Sequence, residues 1–236
     1  MAGAVHGWRE PSPPRMMIPS RRELPWYSRV RKFPAETKHY IRWKRSFDII
    51  ISLLIMPALL PLIGLCCVAI MLDSPGSPVF TQLRTGTCGR RFRMFKLRTM
   101  VRDAEAHKDR LGSLNELTWP DFKITNDPRV TRAGKFLRKT SLDELPQIFN
   151  VLKGDMSLVG PRPTSFSSST YSTWHTARLD VQSGVTGLWQ IEGRNDIDFD
   201  ERVRLDIAYA RHCSFSLDLM ILLRTIPRVV SGRGAN

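Results

Sequence analysis

The sequence contains few of the residues that build zinc sites and disulfide frameworks. Its 236 residues include four cysteines and five histidines, and the cysteines form no Cys-x-x-Cys pair. Neither a structural zinc site nor a disulfide-stabilised secreted fold is indicated, and we expect the soluble part to lie in a reducing compartment. The sequence also lacks the Gly-x-Gly-x-x-Gly and Walker patterns of standard nucleotide-binding folds.

Acidic residues are scarce in comparison with basic ones. The chain has 36 Lys and Arg against 22 Asp and Glu, which gives a net charge of +14. This balance suits an anionic partner, such as nucleic acid, acidic lipid or a phosphorylated substrate. No recognised DNA- or RNA-binding motif accompanies the charge, so we expect no nucleic-acid partner.

No charged residue occurs between Ile49 and Leu72. A helix of this length would measure roughly 36 Å, against ~30 Å for the hydrocarbon of a bilayer. Pro57 and Pro61 each remove an amide that a helix needs, and basic clusters flank the run on both sides, although positive charge marks the cytoplasmic side. We therefore favour a re-entrant helix-break-helix, bent at Pro57 and Pro61, over a spanning helix. A buried helix of a soluble protein is the third alternative.

The apolar run divides the chain into three parts. Residues 1–40 are basic and rich in proline, and we interpret them as a disordered cytosolic tail. Residues 41–72 form the predicted membrane hairpin, and residues 73–236 form a cytosolic domain.

The domain has the pattern of an α+β fold that is mostly helical. Length and apolar spacing predict strands at Val79–Leu83 and Phe92–Thr99, and helices at Val101–Leu117, Phe136–Leu152 and Phe199–Arg211. The apolar stretch from Phe215 to Val230 is either an interfacial helix at the headgroup level or a helix packed on the domain.

Strand alternation places Lys96 and Arg98 on one face of the second predicted strand, roughly 7 Å apart. This separation suits a diphosphate or two phosphates. The alternative interpretation is a solvated basic edge near a membrane.

Two adjacent carboxylates, Asp143 and Glu144, follow Arg138 closely in sequence. Ser141 and Glu144 have the spacing of a capping box, so Glu144 could simply cap a helix. The other interpretation is an ionised pair at a helix N-terminus that binds a divalent cation, with Asp143 as a potential nucleophile.

Arg162 is held between Pro161 and Pro163. The two prolines stiffen the backbone and so restrict the direction of the Arg162 guanidinium. Arginine is the side chain that binds phosphate through two nitrogens. An ordinary rigid turn is the alternative.

A glycine-punctuated run, residues 184–195, contains Trp189 and ends with Arg194 and Asn195. Such a run could line a nucleotide pocket. Trp189 could equally belong to the core or stack on a base.

These motifs together, in this order, resemble the bacterial sugar transferases called monotopic phosphoglycosyl transferases, from about Lys44 to Arg233. Among these enzymes the chain is most similar to those that start exopolysaccharide synthesis, including undecaprenyl-phosphate galactose phosphotransferases. The motifs are Arg45–Asp48, Phe95–Met100, Ser141–Gln147, Gly160–Pro163 and Thr186–Gln190. The chain departs from the family pattern at Leu60, where the family commonly has Ser before proline, and at Ser183, where it often has proline.

The resemblance implies transfer of a sugar-1-phosphate from a UDP-sugar to polyprenyl (undecaprenyl) phosphate, with Mg²⁺ as cofactor and UMP as product. It implies a monotopic enzyme on the cytoplasmic face of the bacterial inner membrane. Asp143 would form a covalent phosphosugar in a ping-pong cycle, and Glu144 would help to place Mg²⁺ or manage a proton. Candidates for charge neutralisation are Lys96, Arg98, Arg138 and Arg162.

The sequence does not identify the sugar, and galactose or glucose is favoured only by the resemblance. A homo-oligomer is left open. The competing class of function is a non-catalytic membrane adaptor that recruits other enzymes of polysaccharide assembly.

Overall fold

The computed structural model describes residues 36–106, 111, 115–116, 124–167, 171–192 and 198–231, so most of the predicted tail, residues 1–35, lies outside the described residues. The fold is α+β and mostly helical, as predicted. The elements in chain order are α1 (Glu36–Asp73), β1 (Val79–Thr85), β2 (Arg91–Leu97), α2 (Arg132–Thr140), α3 (Gln147–Lys153), β3 (Ser157–Val159), β4 (Gly184–Thr186), α4 (Leu188–Glu192), α5 (Phe199–His212) and α6 (Phe215–Ser231).

Helix α1 covers the predicted membrane segment and extends past it at both ends. It has 38 residues and runs through Pro57 and Pro61. Between residues 39 and 73 it is long and apolar enough to cross a membrane, judged by length and composition. Its apolar side chains are largely exposed, with Leu54 and Leu65 each at 70%. The alternative of a buried helix in a soluble protein is therefore wrong. No second helix begins at the prolines, and the membrane topology stays a prediction.

Both ends of α1 are bonded to the rest of the fold. Near its start, the Arg45 guanidinium donates to the carbonyls of Val151 and Leu152 at 2.5 and 2.7 Å. At its end, the Asp73 carboxylate accepts a hydrogen bond of 2.9 Å from the Ala133 amide. The helix is thus attached at one end to α3 and at the other to α2.

The strands form two small sheets. Strands β1 and β2 pair antiparallel, with Val79 opposite Leu97 and Thr85 opposite Arg91. Strands β3 and β4 pair in parallel. The two predicted strands are confirmed, although β2 ends at Leu97, before the predicted Thr99.

Strand β2 contributes to two hydrophobic clusters and is thereby fixed along its length. The larger one contains Met94 and packs β2 against α3, β3, α5 and α6, whereas the smaller one contains Leu97 and packs β2 against α1 and α2. The buried members of the larger cluster are Phe92, Met94, Ile148, Val151, Met156, Leu158, Val159, Ile191, Tyr209 and Ile221.

The predicted helix from Val101 to Leu117 is wrong over residues 101–106, which form turns. The Val101 amide bonds to the Arg129 carbonyl at 2.9 Å, and Met100 forms a bridge with Val130. Long-range pairing therefore replaces the bonds that a helix would use. Residues 107–110, 112–114 and 117 lie outside the described part of the chain.

The predicted helix from Phe136 to Leu152 is wrong in being continuous. Helix α2 ends at Ser141, which has φ +57°, and α3 begins after Pro146. The left-handed backbone at Ser141 lets its amide bond back to the last turn of α2, and Pro146 has no amide to continue a helix. The prediction at Phe199–Arg211 is confirmed as α5.

Helix α6 packs on the domain with one face, as one of the two alternatives predicted, and exposes apolar side chains on the other; its position at the headgroup level stays a prediction. Ile221 is fully buried against the domain, while Phe215, Leu219, Leu223 and Ile226 are between 41% and 61% exposed. Pro227 lies inside this helix, which continues to Ser231.

Candidate functional site

The two carboxylates lie on a short 3-10 turn, Leu142–Glu144, between α2 and α3. The Ser141 side chain makes no capping hydrogen bond to this turn. The capping-box interpretation is therefore wrong, because the left-handed backbone at Ser141 orients the turn differently from the start of an α-helix. The Glu144 carboxylate is free of the capping role and faces β2.

Glu144 is held by two cations from distant parts of the chain. Arg162 donates from Nη1 to Oε2 at 2.9 Å and from Nη2 to Oε1, and Lys96 Nζ donates to Oε1 at 3.0 Å. Burial alone would raise the pKa of Glu144, but Arg162 and Lys96 outweigh it and hold the pKa well below its usual range. The two cations therefore favour the ionised form of Glu144.

Asp143 sits in a different electrostatic environment. Its Oδ2 lies 3.8 Å from Lys96 Nζ, too far for a hydrogen bond, and 12% of its side chain is exposed. Burial and the neighbouring charge of Glu144 raise its pKa, against the opposing effect of Lys96, Arg162 and Arg138. In this pair, Glu144 is thus held by Arg162 and Lys96, whereas Asp143 retains oxygens that could bind a ligand or attack phosphorus.

Asn150 positions the strand that carries Lys96, and sequence reasoning missed it. This fully buried side chain donates from Nδ2 to the Arg93 carbonyl at 2.8 Å and accepts from the Phe95 amide at 2.9 Å. A polar amide between the apolar residues Phe149 and Val151 was the available signal.

Arg162 is positioned by close backbone crossings and by a second arginine. A Cβ on Gly160 would lie 2.1 Å from the Gln182 carbonyl oxygen, so only glycine fits there. The buried Arg178 donates to the Arg162 carbonyl at 2.7 Å and pairs with Asp206 at 2.5 Å. Pro161 and Pro163 are both buried on either side of Arg162.

Arg98 and Arg138 bond to other groups than the carboxylate that Lys96 contacts. The Arg98 guanidinium donates to the carbonyls of Ser74 and Pro75 at 2.7 and 2.6 Å, at the end of α1. The structure thus directs Lys96 and Arg98 to different partners. Arg138 donates from Nε to Thr99 Oγ1 at 3.0 Å, and burial lowers its pKa although the charge of Asp143 opposes this.

A cleft of about 130 Å³ adjoins the carboxylate pair, since Arg162 lines it as well. Trp189 is half-buried at its wall with the Arg202 guanidinium 5.5 Å from its ring centroid, so it is not a core residue. Arg194 and Asn195 lie outside the described residues. The cleft is lined by Arg84, Arg162, Pro163, Thr164, Ser165, Phe166, Arg178, Trp189, Phe199 and Arg202.

Arg84 is a second residue that sequence reasoning missed. Its Nη2 donates to Gln82 Oε1 at 2.6 Å, while its Nε is buried without a hydrogen-bond partner. Burial, together with the charge of Arg162, lowers its pKa to about 10. The sequence showed only another arginine in a basic stretch.

The site meets the minimum requirement for Mg²⁺, which often takes one or two carboxylates together with substrate phosphates and water. Across the described ranges, no group of three or more His, Cys, Asp or Glu side chains could hold a metal. Both oxygens of Glu144 are bonded to Arg162 or Lys96, so Asp143 has the more available ligand atoms. Binding of Mg²⁺ stays a prediction.

Comparison with known proteins identifies the family. A family model described as bacterial sugar transferase matches residues 39–232. The chain belongs to this family. It is 50% identical to the galactosyl transferase CpsE of Streptococcus agalactiae over 162 residues, which are 68% of this chain and 36% of the relative.

Two other similar sugar transferases carry the name of a lipid acceptor. The undecaprenyl-phosphate galactose phosphotransferase of Salmonella typhimurium is 43% identical, over 81% of this chain and 41% of the relative. The undecaprenyl-phosphate glucose phosphotransferase of Komagataeibacter xylinus is 41% identical, over 81% of this chain and 36% of the relative. The chain thus spans well under half the length of these relatives.

Proposed function

We propose that this sugar transferase moves a sugar-1-phosphate from a UDP-sugar to undecaprenyl phosphate and so starts the synthesis of an exopolysaccharide or another surface glycan. The names of the Salmonella and Komagataeibacter relatives support this reaction. The observation that carries it is the Asp143–Glu144 pair, in which Glu144 is bonded to cations and Asp143 has available oxygens. The sugar is galactose or glucose, as in the relatives' names.

The reaction proceeds in two displacement steps. An Asp143 carboxylate oxygen attacks the phosphorus attached to the sugar, the bond from that phosphorus to the bridging oxygen breaks, and UMP leaves. An oxygen of the lipid phosphate then attacks the same phosphorus, which releases Asp143 and forms the polyprenyl-diphosphate sugar. No proton or oxidant is needed for the atoms to balance.

Both steps bring an anion onto an anion, so charge neutralisation and alignment supply most of the catalysis. Lys96 is placed to neutralise charge beside Asp143, since it already contacts both carboxylates. Arg162 is placed by its two prolines at the boundary between the pair and the cleft. Mg²⁺, when bound through Asp143 and substrate phosphates, would add further positive charge.

A re-entrant course of α1 keeps this site at the membrane surface. Arg45 and Asp73, near the two ends of the helix, both bond to the one folded domain. A helix that crossed the bilayer would put ~30 Å of hydrocarbon between its ends. Attachment of both ends to the same domain therefore supports entry and exit on one side. Pro57 and Pro61, which lack the amide that a helix uses, are the positions at which α1 would bend.

The apolar face of α6 supports the same placement. Phe215, Leu219, Leu223 and Ile226 recur every three or four residues and are exposed, as in a helix that lies flat at the headgroup level. We place the domain on the cytoplasmic face of the inner membrane, because the UDP-sugar donor is in the cytosol.

Turnover by the purified full chain tests the proposal. Incubation with radiolabelled UDP-galactose or UDP-glucose, Mg²⁺ and undecaprenyl phosphate should release UMP and label the lipid. Asp143→Asn should abolish both the covalent phosphosugar and the lipid product, whereas Asp103→Asn, which changes an exposed aspartate outside the site, should retain them. Release of no UMP from any UDP-sugar would end the proposal, and full turnover by Asp143→Asn would end the nucleophile assignment.

A further inference from the structure

We propose that Arg84 binds a phosphate of the nucleotide half of the sugar donor, in the cleft that adjoins the carboxylate pair. The cleft would then hold the UMP moiety, with the sugar-linked phosphorus directed toward Asp143. This inference rests on the proposed function, because it takes the donor to be a UDP-sugar.

The charge distribution of the cleft singles out Arg84. Within the part of the chain that the structure describes, four arginines line the cleft. Arg162 is neutralised by Glu144 and Arg178 by Asp206, and the Arg202 guanidinium lies over aromatic rings. Among the described residues, Arg84 makes no ion pair with a carboxylate, and its one hydrogen bond goes to the neutral amide of Gln82.

A partly buried guanidinium without an anion is costly to keep, because burial removes the water that would otherwise solvate the charge. Its Nε has lost water without gaining an acceptor. A phosphate oxygen would supply that acceptor, since the planar guanidinium matches phosphate geometry. The site is thus arranged for an anion that the described part of the chain does not provide.

The shape of the cleft distinguishes a nucleotide from a lipid phosphate. Trp189 and Phe199 line the same space as Arg84, and flat aromatic side chains are the usual stacking partners of bases. Arg162 connects this space to Glu144, so a diphosphate that starts at Arg84 would run toward the carboxylates. A phosphate site that shares its cleft with two aromatic rings fits a nucleotide better than a polyprenol.

The experiment measures binding and turnover separately. Titration calorimetry on the purified full chain in detergent would compare UMP with uridine for wild type, Arg84→Ala and Arg84→Lys. The matched control is Arg93→Ala, which removes an exposed arginine from the neighbouring strand, opposite Leu83. Steady-state assays would then measure KM for the UDP-sugar and for undecaprenyl phosphate.

We expect Arg84→Ala to raise the Kd for UMP about tenfold or more, as expected for the loss of a charged hydrogen bond, and to leave the Kd for uridine within twofold. The KM for the UDP-sugar should rise and that for undecaprenyl phosphate should not. Arg84→Lys should recover part of the affinity, and Arg93→Ala should match wild type.

Two results would overturn this inference. One is an unchanged Kd for UMP in Arg84→Ala, and the other is a rise in KM for undecaprenyl phosphate alone, which would assign the lipid phosphate to Arg84. Both leave the proposed function standing if wild type turns over UDP-sugars. If wild type binds UMP through Arg84 but releases no UMP from any UDP-sugar, the proposed function fails instead. Should Arg84→Ala not fold, Arg84→Gln takes its place.

Discussion

Arg162 binds Glu144 through two guanidinium nitrogens across 18 residues of sequence. This contact, together with the hydrogen bond from Lys96 to the same carboxylate, gives two adjacent acids different roles. Glu144 becomes a fixed anion that holds the cations in place. Asp143 keeps its oxygens available beside the same cations, which is the arrangement that a carboxylate nucleophile needs at a phosphate.

The effects of substituting Glu144 and Arg162 separately should not add, because both substitutions remove the same contact. Glu144→Gln and Arg162→Ala should each lower the free energy of unfolding by about 2–4 kcal/mol, because each leaves a partly buried charge without its partner. The double variant should cost clearly less than the sum of the two. Thermal or urea unfolding of the four proteins in detergent would measure the coupling, and additive effects would contradict it.

The pH dependence of turnover should report the raised pKa of Asp143. Because the nucleophile must be ionised, the acid limb of kcat/KM should lie at higher pH than an ordinary aspartate would give. Lys96 lowers the pKa of Asp143, so Lys96→Met should move this limb further upward in addition to slowing the reaction. A control is Lys153→Met, since Lys153 is exposed and pairs with Asp155 instead. An acid limb that does not move in Lys96→Met would refute this assignment.

Gly160 should tolerate no side chain. Gly160→Ala would place a Cβ 2.1 Å from a backbone oxygen, so the strand that leads to Arg162 must shift. We expect a loss of about 3 kcal/mol or more in unfolding free energy, or failure to fold. Gly64→Ala is the matched control, because nothing lies within 4 Å of a Cβ there, and it should be close to neutral. Equal stability of the two variants would show that the backbones at Gly160 and Gln182 are not in close contact.

The topology of α1 should place both of its ends on the cytoplasmic side. In a background with the four native cysteines replaced, cysteines introduced at Trp43 and Ser77 would be labelled with a membrane-impermeant maleimide. Both positions lie near the ends of the helix and are exposed. Labelling of both in inside-out vesicles and of neither in intact cells is expected. Labelling on opposite sides would establish a spanning helix and overturn the re-entrant proposal.

Much of the fold could be predicted because the signals are local. The two strands of the first sheet and helix α5 follow from the spacing of apolar residues over a few turns or pleats. The errors came where distant groups replaced local bonds. Val101 pairs with Arg129 instead of entering a helix, and Ser141 adopts a left-handed backbone that ends α2 within a stretch that reads as continuous helix.

In the carboxylate site, too, local signals could be predicted and long-range contacts could not. Its residue types and their neighbours in sequence were sufficient to single out Asp143, Glu144 and Arg162. The spacing could not tell a capping glutamate from one bonded to Arg162, because both fit Ser-x-x-Glu. Arg84 had no distinguishing pattern, since only its burial beside other arginines sets it apart.

The sequence by itself determined an uncharged apolar segment, an excess of basic residues and a set of motifs in the order of a sugar transferase. These are properties of neighbouring residues, and they do not depend on how the rest of the chain folds. Only the tertiary structure decided which cation meets which carboxylate, which arginine lacks an anion and that both ends of α1 attach to one domain. Such pairings depend on how elements pack that are tens of residues apart, and Coulomb interactions follow distance in space rather than along the chain.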